Sequence, residues 1–217
     1  MDTRTALIAG ASGLVGGHLL NVLLENPLYQ QVYSLGRRPL PRQHPQLIQQ
    51  TVDFGRLDGT PLPAADDAFC CLGTTLKKAG SQEAFRAVDY DAVLNFAQAA
   101  RKAGVRRFAV VTAMGANPRS RFFYNRVKGE VEEALEAQGF DSLIIAHPSL
   151  LLGERGEHRP GEKVATVVAH LLGPLLRPFA SRPIEGRTVA RALVALARQP
   201  PPGVQTVPSG ALQQHGG

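Results

Sequence analysis

Cysteine is scarce in this chain, and long apolar runs are missing. Two of the 217 residues are cysteines, and they are neighbours, Cys70-Cys71, within an apolar stretch. Adjacent strand residues point to opposite faces, so a structural bridge between the two is not expected. They read as buried free thiols in a reducing cytoplasm. The adjacent pair lacks a second pair at zinc spacing, so no metal site is expected either. No apolar run reaches the roughly 18 residues that a membrane-spanning helix needs. No charged-then-apolar leader opens the chain, and a cytoplasmic protein away from membranes is the expectation. Aromatic residues make up 6% of the composition and are not interleaved with Lys77-Lys78, Arg101-Lys102 or Arg106-Arg107. A nucleic-acid partner is therefore not expected. The net charge of +6 comes from scattered arginines, which suits an anionic small ligand.

What is present is a regular alternation of short apolar runs and helical patterns. Strands are expected at Ala6–Ala9, Val32–Leu35, Leu47–Val52, Ala68–Cys71, Phe108–Thr112 and Leu143–Ala146. Helices are expected after the first strand through Leu24, over about Gln82–Gly104 and over about Arg121–Gln138. This order implies an α/β fold with a doubly wound parallel sheet, covered by helices on both faces. Beyond Ser149 the chain changes character. A polar, glycine-rich loop from Gly153 to Gly161 leads into an apolar helix through Val164, Val167, Val168, Leu171 and Leu172, which Pro174 ends. A last helix over Arg187–Arg198 and a short strand at Val204–Val207 follow, and residues Gln213 to Gly217 are expected to fray. No repeat or linker divides the chain. With 44% hydrophobic residues, residues 1–217 read as one domain, in which about 150–200 form a small substrate-covering part.

The segment Gly10-Ala11-Ser12-Gly13-Leu14-Val15-Gly16 joins the first strand to the first helix. Glycines at 10, 13 and 16 in that context describe a phosphate cradle. Gly10 makes the tight turn, Gly13 lets the backbone approach a pyrophosphate, and Gly16 allows close helix packing. The helix start adds N–H donors and a partial positive charge.

The second strand ends in Gly36-Arg37-Arg38. A site for NAD usually has an acid here for the ribose 2′-hydroxyl. Two guanidiniums instead suit a 2′-phosphate, favouring NADP(H) over NAD, although solvated loop arginines would look the same. The third strand ends in Val52-Asp53-Phe54, where Asp53 could accept from an adenine amino group or simply cap a surface turn. The fourth ends in Leu72-Gly73-Thr74, a turn small enough to pack against a cofactor.

Tyr124 and Lys128 lie four apart on a helix and share a face, beside the apolar stripe of Phe123, Val127 and Val131. An ammonium near a phenol favours phenolate and lowers the phenol pKa from about 10, which suits acid/base work on a carbonyl or alcohol. An exposed helical pair is the bland alternative.

The glycine run, Arg37-Arg38, Cys70 to Thr75, Val88-Asp89, Tyr124 to Glu130, His147-Pro148-Ser149 and Arg159 to Glu162 together resemble the short-chain dehydrogenase/reductases. More narrowly they resemble the atypical branch with the Tat-interacting, metastasis-suppressor-like oxidoreductases. The resemblance runs from about Thr5 to about residue 200. It implies a Rossmann-like fold, NADP(H) binding, Tyr124 as proton donor and acceptor, Lys128 on the nicotinamide ribose, and His147 and Pro148 beside the nicotinamide.

One residue departs from the pattern. The superfamily places a hydroxyl near the end of the fifth strand, and here Ala113 occupies that position. Thr112 can serve only if the chain is leaving the strand, and Ser120 is the fallback. Loss of that hydrogen bond weakens transition-state stabilisation but not cofactor binding. Two readings follow: an oxidoreductase for a small carbonyl or alcohol, or an NADP(H)-sensing module that meets a protein partner around Gly153 to Glu162. His18 reads as a solvent or packing histidine rather than a ligand, and His158 is a candidate for substrate contact. The helices over Gln82–Gly104 and Arg121–Gln138 can pair between subunits, which would give a homodimer.

Overall fold

The computed structural model describes residues 3–153 and 182–217. Strand β1 (Arg4–Ala9) leads through helix α1 (Leu14–Glu25) to β2 (Tyr29–Gly36) and then β3 (Leu47–Thr51). A 3-10 turn over Phe54–Gly59 precedes β4 (Asp67–Cys70) and the short helix α2 (Leu76–Ala79). Helix α3 (Gln82–Arg86) passes through a π-helical turn, Ala87–Asp91, straight into α4 (Ala92–Lys102). The single long helix expected here thus exists, with a bulge inside it. Then come β5 (Arg107–Val111), α5 (Phe123–Glu136) and β6 (Ser142–His147). The described chain closes with β7 (Leu151–Leu152), β8 (Ile184–Glu185), α6 (Gly186–Arg198), β9 (Gly203–Pro208) and α7 (Ser209–Gly216).

Seven strands form one parallel sheet in the order β3-β2-β1-β4-β5-β6-β9. From β1 the chain first winds outward to β3, then crosses back to β4. The connections after β1 and β4 leave in opposite directions, which opens a crevice at their carboxyl ends.

Strand alternation builds the two cores. Ala6 and Ile8 join Leu19, Leu20 and Leu23 of α1 with Val189 and Leu193 of α6. Leu7 and Ala9 join Val93 and Phe96 of α4 with Leu135 of α5. Both faces of β1 are therefore sealed, and its run of buried apolar residues needs no polar partner beyond the ladder. Burying each larger apolar side chain contributes about 1.5–3 kcal/mol. The amino end of the sheet is closed differently. Asp67, at the start of β4, is buried and accepts from Arg4, Arg107 and the Tyr29 hydroxyl, the last at 3.0 Å. Each of those residues also begins its own strand.

Two expectations are corrected. The carboxyl-terminal residues do not fray: Leu212 is fully buried, and a Cβ on Gly216 would lie 2.0 Å from the Thr188 carbonyl oxygen of α6. Helix α7 is held because it packs on α6 through that glycine. Helix α6 itself lies against α1 within the core, so residues 186–198 form part of the helical layer on that face of the sheet. Of the adjacent cysteines, both free, Cys70 is buried but Cys71, just past the end of β4, is only half-buried against the core on the α1 side. The apolar helix through Val164 to Leu172 lies outside the described residues. So do His158 and most of the loop beginning at Gly153.

Candidate active site

The glycine cradle forms where the carboxyl ends of β1 and β4 meet. Gly10 has φ of +88°, and a Cβ there would stand 2.5 Å from the Cys71 carbonyl atoms. Only glycine satisfies both conditions. Gly13 caps α1 without any side-chain hydrogen bond, and no acidic residue stands in the helix's first turn. The leading N–H groups are thus left to an anionic ligand, an arrangement that fits a dinucleotide's phosphates. Gly16 lies so close to the Gly10 carbonyl oxygen that a Cβ would approach it to 2.1 Å. The close contact foreseen for Gly16 is therefore with the turn itself. Ser12 is exposed, Val15 is buried, and Leu14 packs under Gly153 and Gly186. Only the backbones of Leu14 and Val15 are available to a ligand. His18 lies half-buried against Gly186, as a packing residue would.

Arg37 and Arg38 follow the end of β2, both exposed and with no hydrogen bond or ion pair among the described residues. Asp53 is exposed and uses Oδ1 to accept from the Gly55 N–H at 2.9 Å, so it caps the following turn. Phe54 lies in the core beneath α4 and offers no ring to a ligand.

The chemical centre lies beside the turn that follows β4. Tyr124 and Lys128 occupy successive turns of α5. Lys128 is buried, and its Nζ lies 2.7 Å from Oδ1 of Asp89, which is also buried. Asp89 Oδ2 accepts from the Thr74 N–H at 2.8 Å. Gly73 roofs the pair, since a Cβ there would lie 3.4 Å from Asp89 Oδ1 and 3.8 Å from Lys128 Nζ. Leu72 N in turn lies within 2.9 Å of where a Gly10 Cβ would be. One continuous backbone turn, Cys71 to Thr74, therefore joins the cradle to the Lys128–Asp89 pair.

This arrangement corrects the reading of Tyr124. Its phenol is shifted up, because burial outweighs the lowering by Lys128 and Asp89 adds to the rise. The sequence showed one neighbour; the structure shows a second that opposes it. Burial alone would lower the Lys128 ammonium, but Asp89, then Tyr124, more than reverse this and hold it above its usual value. Cys70, behind the pair, has its thiol pushed up by burial to about 12 and stays neutral. Asp89 entered the sequence reading only as part of the Val88-Asp89 block of the resemblance, with no chemical role assigned. Its signal was an acid on the apolar stripe of Phe85, Val93 and Phe96, a position where an unpaired carboxylate is costly.

The candidate hydroxyls are engaged by backbone. Thr112 lies just beyond β5, yet its N–H still continues the ladder to Ala146 O at 3.0 Å, and its Oγ1 donates to the same oxygen at 3.3 Å. Ser120 Oγ accepts from the Phe122 N–H at 3.2 Å, at the start of α5. His147 turns to α5, with Nε2 at 2.8 Å from Glu132 Oε1. Pro148 is buried, and its carbonyl accepts from the Met114 N–H at 3.1 Å.

A glycine cradle at a sheet crossover, with a Tyr–Lys pair on α5, defines a dinucleotide-binding protein of oxidoreductase-like build. The chain belongs to the NAD(P)H-binding family, whose pattern it matches over residues 10–200. Protein HTATIP2 of Rattus norvegicus is 40% identical over 170 residues, covering 76% of this chain and 70% of the rat protein. The mitochondrial protein FMP52 of Eremothecium gossypii is 36% identical over 200 residues, covering 88% of each chain. The fold also matches MoeE5, solved in complex with UDP-glucose and NAD, at a TM-score of 0.69 and 18% identity, covering 94% of this chain and 75% of that one. Among the described residues no helix is long and apolar enough to cross a membrane, and no group of metal-ligating side chains is found.

Proposed function

We propose that this protein is an NADP(H)-dependent oxidoreductase acting on a small carbonyl or alcohol, with Tyr124 as its acid/base. The carrying observation is that one backbone turn, Cys71 to Thr74, abuts both the glycine cradle and the Lys128–Asp89 pair next to Tyr124. The uncapped start of α1 takes the pyrophosphate, and Arg37 and Arg38 take the 2′-phosphate. Lys128 and the Gly73 backbone face the nicotinamide ribose, with Pro148 and His147 on the far side. When bound, the nicotinamide supplies or accepts hydride. Tyr124 exchanges the proton with the substrate oxygen, and free Cys70 and Cys71 fit a reducing cytoplasm.

The test is consumption of NADPH across a panel of small carbonyls. Tyr124→Phe should stop turnover and leave NADPH affinity in place. Arg37→Ala with Arg38→Ala should weaken NADPH by roughly 10- to 100-fold, taking about 1.5–3 kcal/mol for a charged hydrogen bond, and leave NADH nearly unchanged. Equal loss of both cofactors would refute the 2′-phosphate assignment.

A second reading, an NADP(H) sensor that meets a protein partner, is favoured by the missing hydroxyl at Ala113 and by the engagement of Thr112 with Ala146. Tight NADPH binding with no turnover on any panel member, and no effect of Tyr124→Phe, would select it.

A further inference from the structure

We propose that Asp89 is a positioning residue of this site: it pins the Lys128 ammonium beneath the Gly73–Thr74 turn, keeps it charged, and offsets part of its pull on the Tyr124 proton. The proposal rests on the oxidoreductase reading and deepens it.

The geometry is closed on every side. Asp89 comes from the π-helical turn between α3 and α4, a local widening that shifts one residue inward from the regular helical path. One carboxylate oxygen takes the Thr74 N–H, and the other faces Lys128 Nζ at 2.7 Å and has no other partner. Both side chains are buried, so their attraction is little screened. Without its partner, each would be a buried charge in apolar surroundings.

The charged and titratable groups around the pair are few. Helix α5 contributes Lys128 and Tyr124, and β4 contributes the neutral Cys70 thiol. On Asp89's own helix, Arg86 turns away to pair with Glu130 of α5 and lies over the Tyr90 ring. Asp91 is exposed and lies near Arg86. His147 is paired with Glu132 one turn further along α5. No second cation among the described residues relieves Lys128 of Asp89.

Burial holds the proton on Tyr124, and Asp89 offsets part of the ammonium's pull on it. The neutral phenol is the form that gives a proton in carbonyl reduction, and the phenolate takes it back in the reverse reaction. Bound NADPH would supply the hydride, its C–H bond breaking as it is oxidised to NADP+. The carbonyl carbon takes the hydride as the C=O π bond opens, and the Tyr124 O–H bond breaks as its proton bonds to the carbonyl oxygen. The product is an alcohol, and the tyrosine regains its proton from solvent.

The experiment follows Lys128 and Tyr124 by NMR titration of the cofactor-free protein carrying 13C-labelled lysine and tyrosine side chains, with Lys128→Arg and Tyr124→Phe for assignment. In the wild type, Lys128 should stay charged to about pH 10 or beyond, and Tyr124 should stay phenolic to about the same pH. In Asp89→Asn, the Lys128 titration should fall by about 2 pH units or more, because a buried ammonium without a counter-charge can drop by about 3–5. Asp89→Glu should restore most of that loss.

A folded Asp89→Asn protein whose Lys128 titration does not move overturns the proposal. So does a wild-type Tyr124 that ionises below about pH 9. If Asp89→Asn does not fold, recovery of folding in Asp89→Asn/Lys128→Met supports the proposal, since it traces the defect to an unpaired ammonium. Failure of that double variant assigns Asp89 to the Thr74 turn alone and overturns it. NADPH binding is measured on the same samples. Its absence in the wild type would defeat the oxidoreductase reading, while the two titrations would still report on Asp89.

Discussion

Gly16 and Gly17 are adjacent on the first turns of α1, and replacing each by alanine should have opposite effects. A Cβ on Gly17 would lie 3.4 Å from the Ala11 carbonyl oxygen, an ordinary contact. Alanine there gains helix propensity of about 1 kcal/mol over glycine. A Cβ on Gly16 would lie 2.1 Å from the Gly10 carbonyl oxygen and 2.7 Å from its carbonyl carbon. Both atoms are backbone, so no side chain can swing aside, and the helix and the turn must separate by about 1 Å. Overpacking of this kind costs about 1–3 kcal/mol or more, which exceeds the propensity gain. Gly16→Ala should therefore be destabilised by about 2 kcal/mol, a fall in Tm of roughly 4–8 °C for a domain of this size. Gly17→Ala should melt at or slightly above the wild-type temperature. The separation also pulls the N–H groups of α1 off the phosphates, so NADPH affinity should fall at least tenfold in Gly16→Ala and hold in Gly17→Ala. Thermal melts and NADPH fluorescence titrations of the two variants side by side read both effects. Equal stability and equal affinity would refute the packing assigned to Gly16.

The fold should lose stability as pH rises. Tyr29, Cys70, Cys71, Tyr124 and Lys128 are all held above their ordinary values in the folded chain. Unfolded thiols ionise near pH ~8.5 and phenols near ~10, so above that range the folded state keeps more protons and stability declines. Urea midpoints at pH 7 and pH 10 check this, and a midpoint that holds or rises at pH 10 would contradict it. Asp67→Ala leaves Arg4, Arg107 and the Tyr29 hydroxyl without their shared acceptor, and should cost about 3 kcal/mol in urea unfolding. A loss under about 1 kcal/mol would show that the cluster contributes little. Cys70, with its thiol at about 12 and its side chain buried, should resist alkylation in the native protein at pH 8 and react once unfolded. Native labelling at Cys70 would disprove that burial.

The inner strands β1, β4, β5 and β6 were legible as apolar runs because strands buried on both faces leave no polar alternation to read. The cradle was legible too, since a turn with a positive φ and two close backbone approaches admits few residues besides glycine. Helix α7 was missed for a related reason. Its sequence, Ser209 to Gly216, is short and weakly patterned, and its stability comes from Gly216 meeting the Thr188 backbone of α6. No local propensity reports a contact of that kind.

The electrostatics of the site were the least legible part, and the reason is geometric. Spacing along α5 identifies Tyr124 and Lys128 as neighbours, because residues four apart share a helical face. It says nothing about which charges other elements bring to that face. Asp89 arrives from a different helix, aimed by a π-helical turn that the sequence does not announce, and is fixed by a backbone N–H from a third segment. One carboxylate at 2.7 Å gives the lysine a buried acid to balance as well as a phenol to act on. A Tyr–Lys pair is thus a statement about position. How strongly the lysine acts on the phenol depends on what faces that lysine, and in this chain that residue is Asp89.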